Sequence, residues 1–353
     1  MASNQYYNGT RVVQGIFTSS LANSGLKWEE TESINLGLDL SVLSERVFLT
    51  LDYYDMSTRN LLVKRTLPKI TGFESITTNI GELGNKGFEL TLNTTNISSN
   101  VLRWKSDLTF SLNRNKIRSL FGDRGEYTLE GKKLTGELPD YTNEWFPGQA
   151  IDRVWNYRIL GVWQVEEKEE ATRYTLFPGD FKVSDLDENG KYEALQDKVF
   201  IGYVQPRFRL GLRNTFEILN NFTLSVFLRS DLGHIREFSA PMAVPGAGAI
   251  VNISSENFSY WTADNRSEEY PRIHPRVEGY GGGIKLYKPS SYVRIQDVTF
   301  SYNVPLLKDF MKEFRLFGSI RNLYSFDNWP GWDPESGGSP MPRIYNVGVN
   351  VSF

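Results

Sequence analysis

Residues 342–353 read Pro-Arg-Ile-Tyr-Asn-Val-Gly-Val-Asn-Val-Ser-Phe. From Tyr345 through Val347, Val349 and Val351 to Phe353, every second side chain is apolar. Asn346, Gly348, Asn350 and Ser352 fill the positions between. A period of two is the signature of a strand with one apolar and one polar face. Working back from this stretch, the same alternation recurs in segments of about ten residues. Ile34, Leu36, Leu38 and Leu40 carry it first, followed after a Ser-Glu turn by Val47, Leu49, Leu51 and Tyr53. Phe88, Leu90 and Leu92 repeat it, as do Leu108, Phe110 and Leu112, then Phe208, Leu210 and Leu212. Phe222, Leu224, Val226 and Leu228 follow the tight turn Leu219-Asn220-Asn221, and Val298, Phe300, Tyr302 and Val304 precede Phe314, Leu316 and Ile320.

A soluble β-sandwich also alternates, but its connections do not alternate between short and very long as these do. Outer-membrane barrels have that arrangement, with short periplasmic turns and long external loops. Pairing strands across the short turns gives nine: 28–42 with 45–62, 84–95 with 100–117, 204–219 with 221–234, 290–305 with 312–325, and 342–353 alone. The segments 63–83, 118–203, 235–289 and 326–341 then fall outside the cell. Val154–Trp163 would make a tenth strand and break the parity, so it belongs inside the large extracellular excursion 118–203. Residues 1–27 are expected to be an extracellular loop segment and 28–353 barrel strands with their loops.

Composition agrees with a membrane barrel and removes other classes. The chain of 353 residues holds 22 Phe, 18 Tyr and 8 Trp, yet its mean hydropathy is −0.39. Apolar residues are therefore diluted by alternation, and no run approaches the ~18 apolar residues of a spanning helix. The formal charge of −3 gives no electrostatic case for nucleic acid. There is no cysteine, which removes disulfides, thiolate metal sites and cysteine nucleophiles. With only His234 and His274, neither a histidine metal site nor a Ser-His-Asp triad is expected. No nucleophile elbow and no phosphate-binding glycine loop is present, so the chain does not read as an enzyme. Met1–Ser3 opens no signal peptide, and an exported barrel needs one. The sequence is thus expected to be a fragment or one piece of a split chain.

Five stretches in order resemble the C-terminal barrel region of SusC/RagA-like TonB-dependent transporters of Bacteroidetes. They are Leu26-Lys27-Trp28-Glu29; Asn79-Ile80-Gly81-Glu82-Leu83-Gly84-Asn85-Lys86-Gly87-Phe88-Glu89; Pro178-Gly179-Asp180 with the acidic loop after it; Tyr292-Val293-Arg294-Ile295-Gln296-Asp297-Val298; and Arg321-Asn322-Leu323-Tyr324 leading to Phe353. The resemblance implies an all-β, multi-pass transmembrane antiparallel barrel of about 22 strands in the outer membrane. Nine strands do not close it, and the plug and TonB-contacting segment are absent from this sequence. It further implies TonB-driven import of oligosaccharides or peptides, a SusD-like lipoprotein lid, and a dimer of SusC–SusD-like pairs as one assembly. A passive porin without TonB coupling is the alternative. Phe353 on an alternating terminal strand resembles the signal read by the insertion machinery, or serves as an interfacial anchor.

The most specific local motif is Asp185-Leu186-Asp187-Glu188-Asn189-Gly190-Lys191. Oxygen ligands at positions one, three and five, with glycine at six, match the start of a calcium loop. Lys191 would offer its carbonyl and Glu193 would bind directly or through water. The usual closing glutamate is replaced by Gln196, so Asp197 is expected to supply the last carboxylate. An all-oxygen flexible loop favours Ca²⁺ over Mg²⁺. The competing reading is a solvated Asp-Asn-Gly turn. Trp145, Trp155, Trp163, Trp261, Trp329 and Trp332 fall in the long loops, where packing is a commoner role for them than stacking on a substrate. Arg207, Arg209 and Arg213 are expected to line the lumen.

Overall fold

The computed structural model describes the chain apart from residues 1, 8, 18–20, 68, 74, 80, 240–257, 274–282, 306–310 and 353. The expectations for Ile80, His274 and Phe353 lie outside the described residues. Nine long strands form one antiparallel sheet: β1 (Glu30–Val42), β2 (Val47–Arg59), β3 (Glu82–Ser98), β4 (Leu102–Ser119), β5 (Phe208–Ile218), β6 (Phe222–Leu232), β7 (Tyr292–Asn303), β8 (Glu313–Asp327) and β9 (Ile344–Ser352). Sequence neighbours are spatial neighbours throughout, from β1 at one edge to β9 at the other. Both edges are unpaired among the described residues, so the sheet is an arc and not a closed barrel.

Register follows from the alternation, because a slip of one residue would exchange the two faces. Leu40, Leu49, Leu92, Leu108, Leu212 and Leu228 are successive partners across six strands. They belong to the outward, apolar face. Near the short-turn end this face carries an aromatic belt: Trp104 stacks on Phe216 at 5.6 Å and Phe222 on Tyr302 at 4.5 Å. Phe110, between Phe88 and Phe208 at 6.3 and 6.2 Å, supplies the belt at the other end. The opposite face is polar. There Asn93 bonds Asp107 at 2.8 Å and Arg103 pairs with Glu217 at 3.1 Å.

Three of the tight turns are where expected, Leu43, Ser44 and Glu45 taking positive φ to make the first, and the fourth, at 306–310, lies outside the described residues. The long connections depart from plain loops. Ala2–Tyr7 and Val12–Phe17 form a hairpin within 1–27, and Leu62–Thr66 pairs with Ser75–Asn79. Arg153–Tyr157 and Ile159–Val162, the piece that would have made a tenth barrel strand, pair instead with Lys198–Tyr203 and Phe181–Val183 inside the excursion. β3 outruns its expected span because a bulge at Thr95–Ile97 lets pairing continue to Ser98.

Candidate functional site

The long-loop end carries the buried core of the described chain. Tyr157, Trp163, Leu176 and Phe181 from the large excursion pack with Phe238 and Leu286 of the next connection and Trp329 of the last. Three connections thereby fold together into a cap. Pro178-Gly179-Asp180 forms its central joint. Gly179 sits at φ +94°, and a Cβ there would come 2.5 Å from Trp261 and 2.8 Å from Arg272. Asp180, fully buried, accepts from Arg272 Nε at 2.8 Å and from the Phe177 amide at 2.9 Å. Of the loop tryptophans, Trp155, Trp163 and Trp329 are buried and Trp332 is exposed. Trp261 donates to Gln164 at 2.9 Å, and Trp145 forms an isolated bridge with Asp140.

The inner wall supplies a second anchor for the cap. β7 and β8 carry facing irregularities around Gln296 and Asn322, the latter at φ +54°, joined by a 2.8 Å side-chain bond. The extra residue reverses the facing of everything beyond it. Ile295 thus faces outward opposite Leu228, while Tyr292 and Arg294 join the polar wall beside Asp231 and Arg229. Arg294 is almost fully buried and donates to Asp333 at 2.6 Å and Glu335 at 2.9 Å. Arg229 meets Glu335 at 2.9 Å and Asp231 at 3.1 Å. The last connection is thereby drawn onto the inner wall. Nothing in the alternation pattern announces this clamp, and of its residues only Arg294 lies in a stretch that carries the family resemblance. Of the arginines expected in the lumen, Arg209 and Arg213 line the polar wall, Arg213 lying 4.8 Å over Phe227. Arg207 precedes β5 and stacks 3.9 Å over Tyr203, beside a cleft of the outer face.

The acidic loop hangs from the cap. Asp185 accepts the Gly190 amide at 2.9 Å and the Tyr174 hydroxyl at 3.1 Å through Oδ2, and its buried Oδ1 has no partner. Asp187 accepts the Asn189 amide at 3.3 Å, and Asn189 Oδ1 accepts the Lys191 amide at 2.7 Å. Asp197 ends the short helix α1 (Ala194–Asp197), is fully buried, and accepts the Leu186 and Glu193 amides at 2.8 and 2.7 Å. Burial raises the Asp197 pKa, and Asp185 and Asp187 raise it further. Burial and its bond to Asp185 push Tyr174 up to about 12. Carboxylate oxygens of Asp185, Asp187 and Asp197 lie within 4.8 Å of one another. Glu193 is exposed and stands outside this group. Three converging carboxylates and one orphaned buried oxygen suit a hard divalent cation. Asp185, Asp187 and Asp197 would hold it, with the Asn189 side chain and the Lys191 carbonyl completing the oxygen set.

A family model described as "TonB dependent receptor-like, beta-barrel" matches residues 2–323. The chain belongs to this family. It is 31% identical, over 98% of its length, to TonB-dependent receptor P3 of Formosa agariphila, of which it covers 36%. It is 26% identical to TonB-dependent receptor SusC of Bacteroides thetaiotaomicron, over 94% of this chain and 32% of that protein. The solved RagAB peptide transporter superposes on all of it with a TM-score of 0.68 at 20% identity, over 38% of that chain, which bears on the fold. The chain spans about a third of the length of the curated relatives it matches. This TonB-dependent receptor barrel segment is therefore an outer-membrane protein, similar to SusC in sequence and to RagAB in fold. Its apolar face meets lipid and its polar face the lumen.

Proposed function

We propose that this chain is the C-terminal part of an active importer, which takes oligosaccharides or peptides across the outer membrane under TonB control. The observation that carries the reading is the open arc: nine strands with a polar inner face and both edges unpaired among the described residues. Such a wall needs further strands and a plug to become a gated pore, and the longer relatives have length to spare for both. The cap stands at the long-loop end, which faces outward in such barrels. There it offers a prefolded surface for a SusD-like lipoprotein, with a dimer of such pairs as the assembly.

The acidic loop fits this reading as a structural Ca²⁺ site of the cap, held by Asp185, Asp187, Asn189, Lys191 and Asp197 and, through water, by Glu193. A cation there would neutralise three crowded carboxylates and fix the rim on which the lid closes. Pre-ordering that rim lowers the entropic cost of docking. The test is uptake of labelled oligosaccharides and peptides by cells producing the full-length protein, with and without TonB. Uptake that stops without TonB supports an active importer. Undiminished uptake identifies a passive porin.

A further inference from the structure

The outward face changes character abruptly along single strands. On β4, Leu108, Phe110 and Leu112 are followed by Arg114, Lys116 and Arg118. On β3, running the other way, Leu92, Leu90 and Phe88 give way to Lys86 and Gly84. Register places Phe88 opposite Leu112 and Lys86 opposite Arg114. The eight steps from Trp104 to Leu112 cover about 26 Å of strand at ~3.3 Å each. A tilt of about 40° reduces this to roughly 20 Å, near the ~25 Å apolar band of an outer-membrane barrel. Arg114 therefore begins where the outer-leaflet headgroups begin.

These cations surround a cleft of about 280 Å³ whose lining contains Lys86, Arg114, Lys116, Arg118 and Arg207 and no carboxylate. Two of them are balanced from outside the lining. Lys86 meets Asp55 at 2.7 Å, and Arg118 meets Glu82 at 2.9 Å. The other three have no carboxylate partner among the described residues. Arg114 donates to the carbonyls of Asn113 and Arg207 at 2.9 and 2.7 Å and lies 5.0 Å over Phe208. Arg207 stacks on Tyr203, and Lys116 is exposed. Asp152, whose field reaches Arg114, already accepts from Asn115 at 2.7 Å and from the Gln205 amide at 3.2 Å. Gly84 lets the Arg118 guanidinium lie against the β3 backbone, because a Cβ there would come 2.7 Å from its Nε and the side chain would have to shift.

We propose that this cleft binds the phosphate of an anionic lipid in the outer leaflet around the barrel. Fixed guanidinium groups match phosphate oxygens, and a flexible lysine adds charge. The apolar band runs directly on from the cations, so acyl chains have Leu112, Phe110 and Phe208 to lie against. That continuity distinguishes a lipid from free phosphate. The inference rests on the barrel fold and the direction of its faces, and is independent of cargo and of TonB.

The experiment uses the full-length protein in a neutral detergent, titrated with phosphatidic acid, with phosphatidylcholine of the same chains, and with inorganic phosphate. Phosphatidic acid should bind at least tenfold more tightly than phosphatidylcholine, and millimolar phosphate should not displace it. Near an anionic surface each basic side chain contributes about fivefold. Lys116→Gln, which breaks no hydrogen bond, should weaken phosphatidic acid about fivefold, and Lys116→Gln with Arg114→Gln about 25-fold. Lys132→Gln with Lys133→Gln, on an exposed hairpin of the cap, should change nothing. Unchanged binding in Lys116→Gln would overturn the proposal even if the double variant failed to fold. Displacement by inorganic phosphate would make it a free-phosphate site instead. Efficient crosslinking of a Lys116→Cys variant to a second copy would make the face a protein contact.

Discussion

Leu49→Arg tests the assignment of the two faces most directly. Leu49 lies on the outward side of β2, with Leu40 and Leu92 as its lateral partners and Val47 and Leu51 above and below it on the same face. None offers an acceptor, so a guanidinium there must be buried unpaired in lipid or must reach an interface. At the bilayer midplane arginine costs roughly 2–4 kcal/mol in such barrels, falling to about 0–1 near the interfaces. Position 49 is two residues, about 6.6 Å of strand, from the turn end of β2. Snorkelling therefore recovers part of the penalty, and about 2 kcal/mol is expected. Thr50→Arg is the control. Thr50 faces the lumen and donates to Asp39 at 2.7 Å, and an arginine there gains that carboxylate as a neighbour. Its cost should stay below about 1 kcal/mol, the range of solvated ion pairs. Urea unfolding of the full-length protein from lipid vesicles should separate the two variants, Leu49→Arg losing about thirtyfold in equilibrium constant. Equal losses, or a greater loss in Thr50→Arg, would refute the facing of every strand in register with β2.

Arg294→Met removes the buried clamp and strands Asp333, which keeps only the amides of Glu335 and Ser336 at 2.9 and 3.2 Å. Breaking such a pair costs about 3–5 kcal/mol, and hydrogen exchange in 328–341 should rise accordingly while β1–β4 stay protected. For the acidic loop, Asp187→Ala or a chelator should loosen 185–197 and weaken lid docking with the barrel still assembled. A wild-type protein that gives no calcium signal in anomalous scattering, and a variant with unaltered docking, would leave a solvated turn. His234 gives a pH signature. Burial, with Arg236 and Arg209 near it, holds its pKa below the ordinary ~6.5, against the pull of Asp231. The unfolded chain takes up this proton first, so the contribution is intact above about pH 6.5 and is lost as pH falls through the lower folded pKa. His234→Gln should flatten the unfolding profile between pH 7 and 5; an unchanged slope would remove His234 from the account.

The alternation by itself determined the nine strands, their facing and their order, because a period of two survives in any stretch where one side meets lipid and the other water. It also determined which connections are short, and it marked Asp185, Asp187 and Asn189 by spacing. Tertiary structure decided the rest, for reasons of distance and parity. One extra residue at Gln296, matched at Asn322, reverses the facing of Arg294, and no local pattern betrays a bulge whose partner lies on the next strand. The cap exists because Asp180 meets Arg272 and Arg294 meets Asp333 across long intervals of chain. Asp197 reaches Asp185 and Asp187 because α1 turns it back into the loop. The basic cleft is assembled from Lys86 and Arg114, which look in the sequence like ordinary solvated charges, and from Arg207, which the sequence pattern assigns to the lumen. Their meaning comes from register, which sets them side by side at the edge of the apolar band, where Lys86 has a carboxylate partner and Arg114 and Arg207 have none among the described residues.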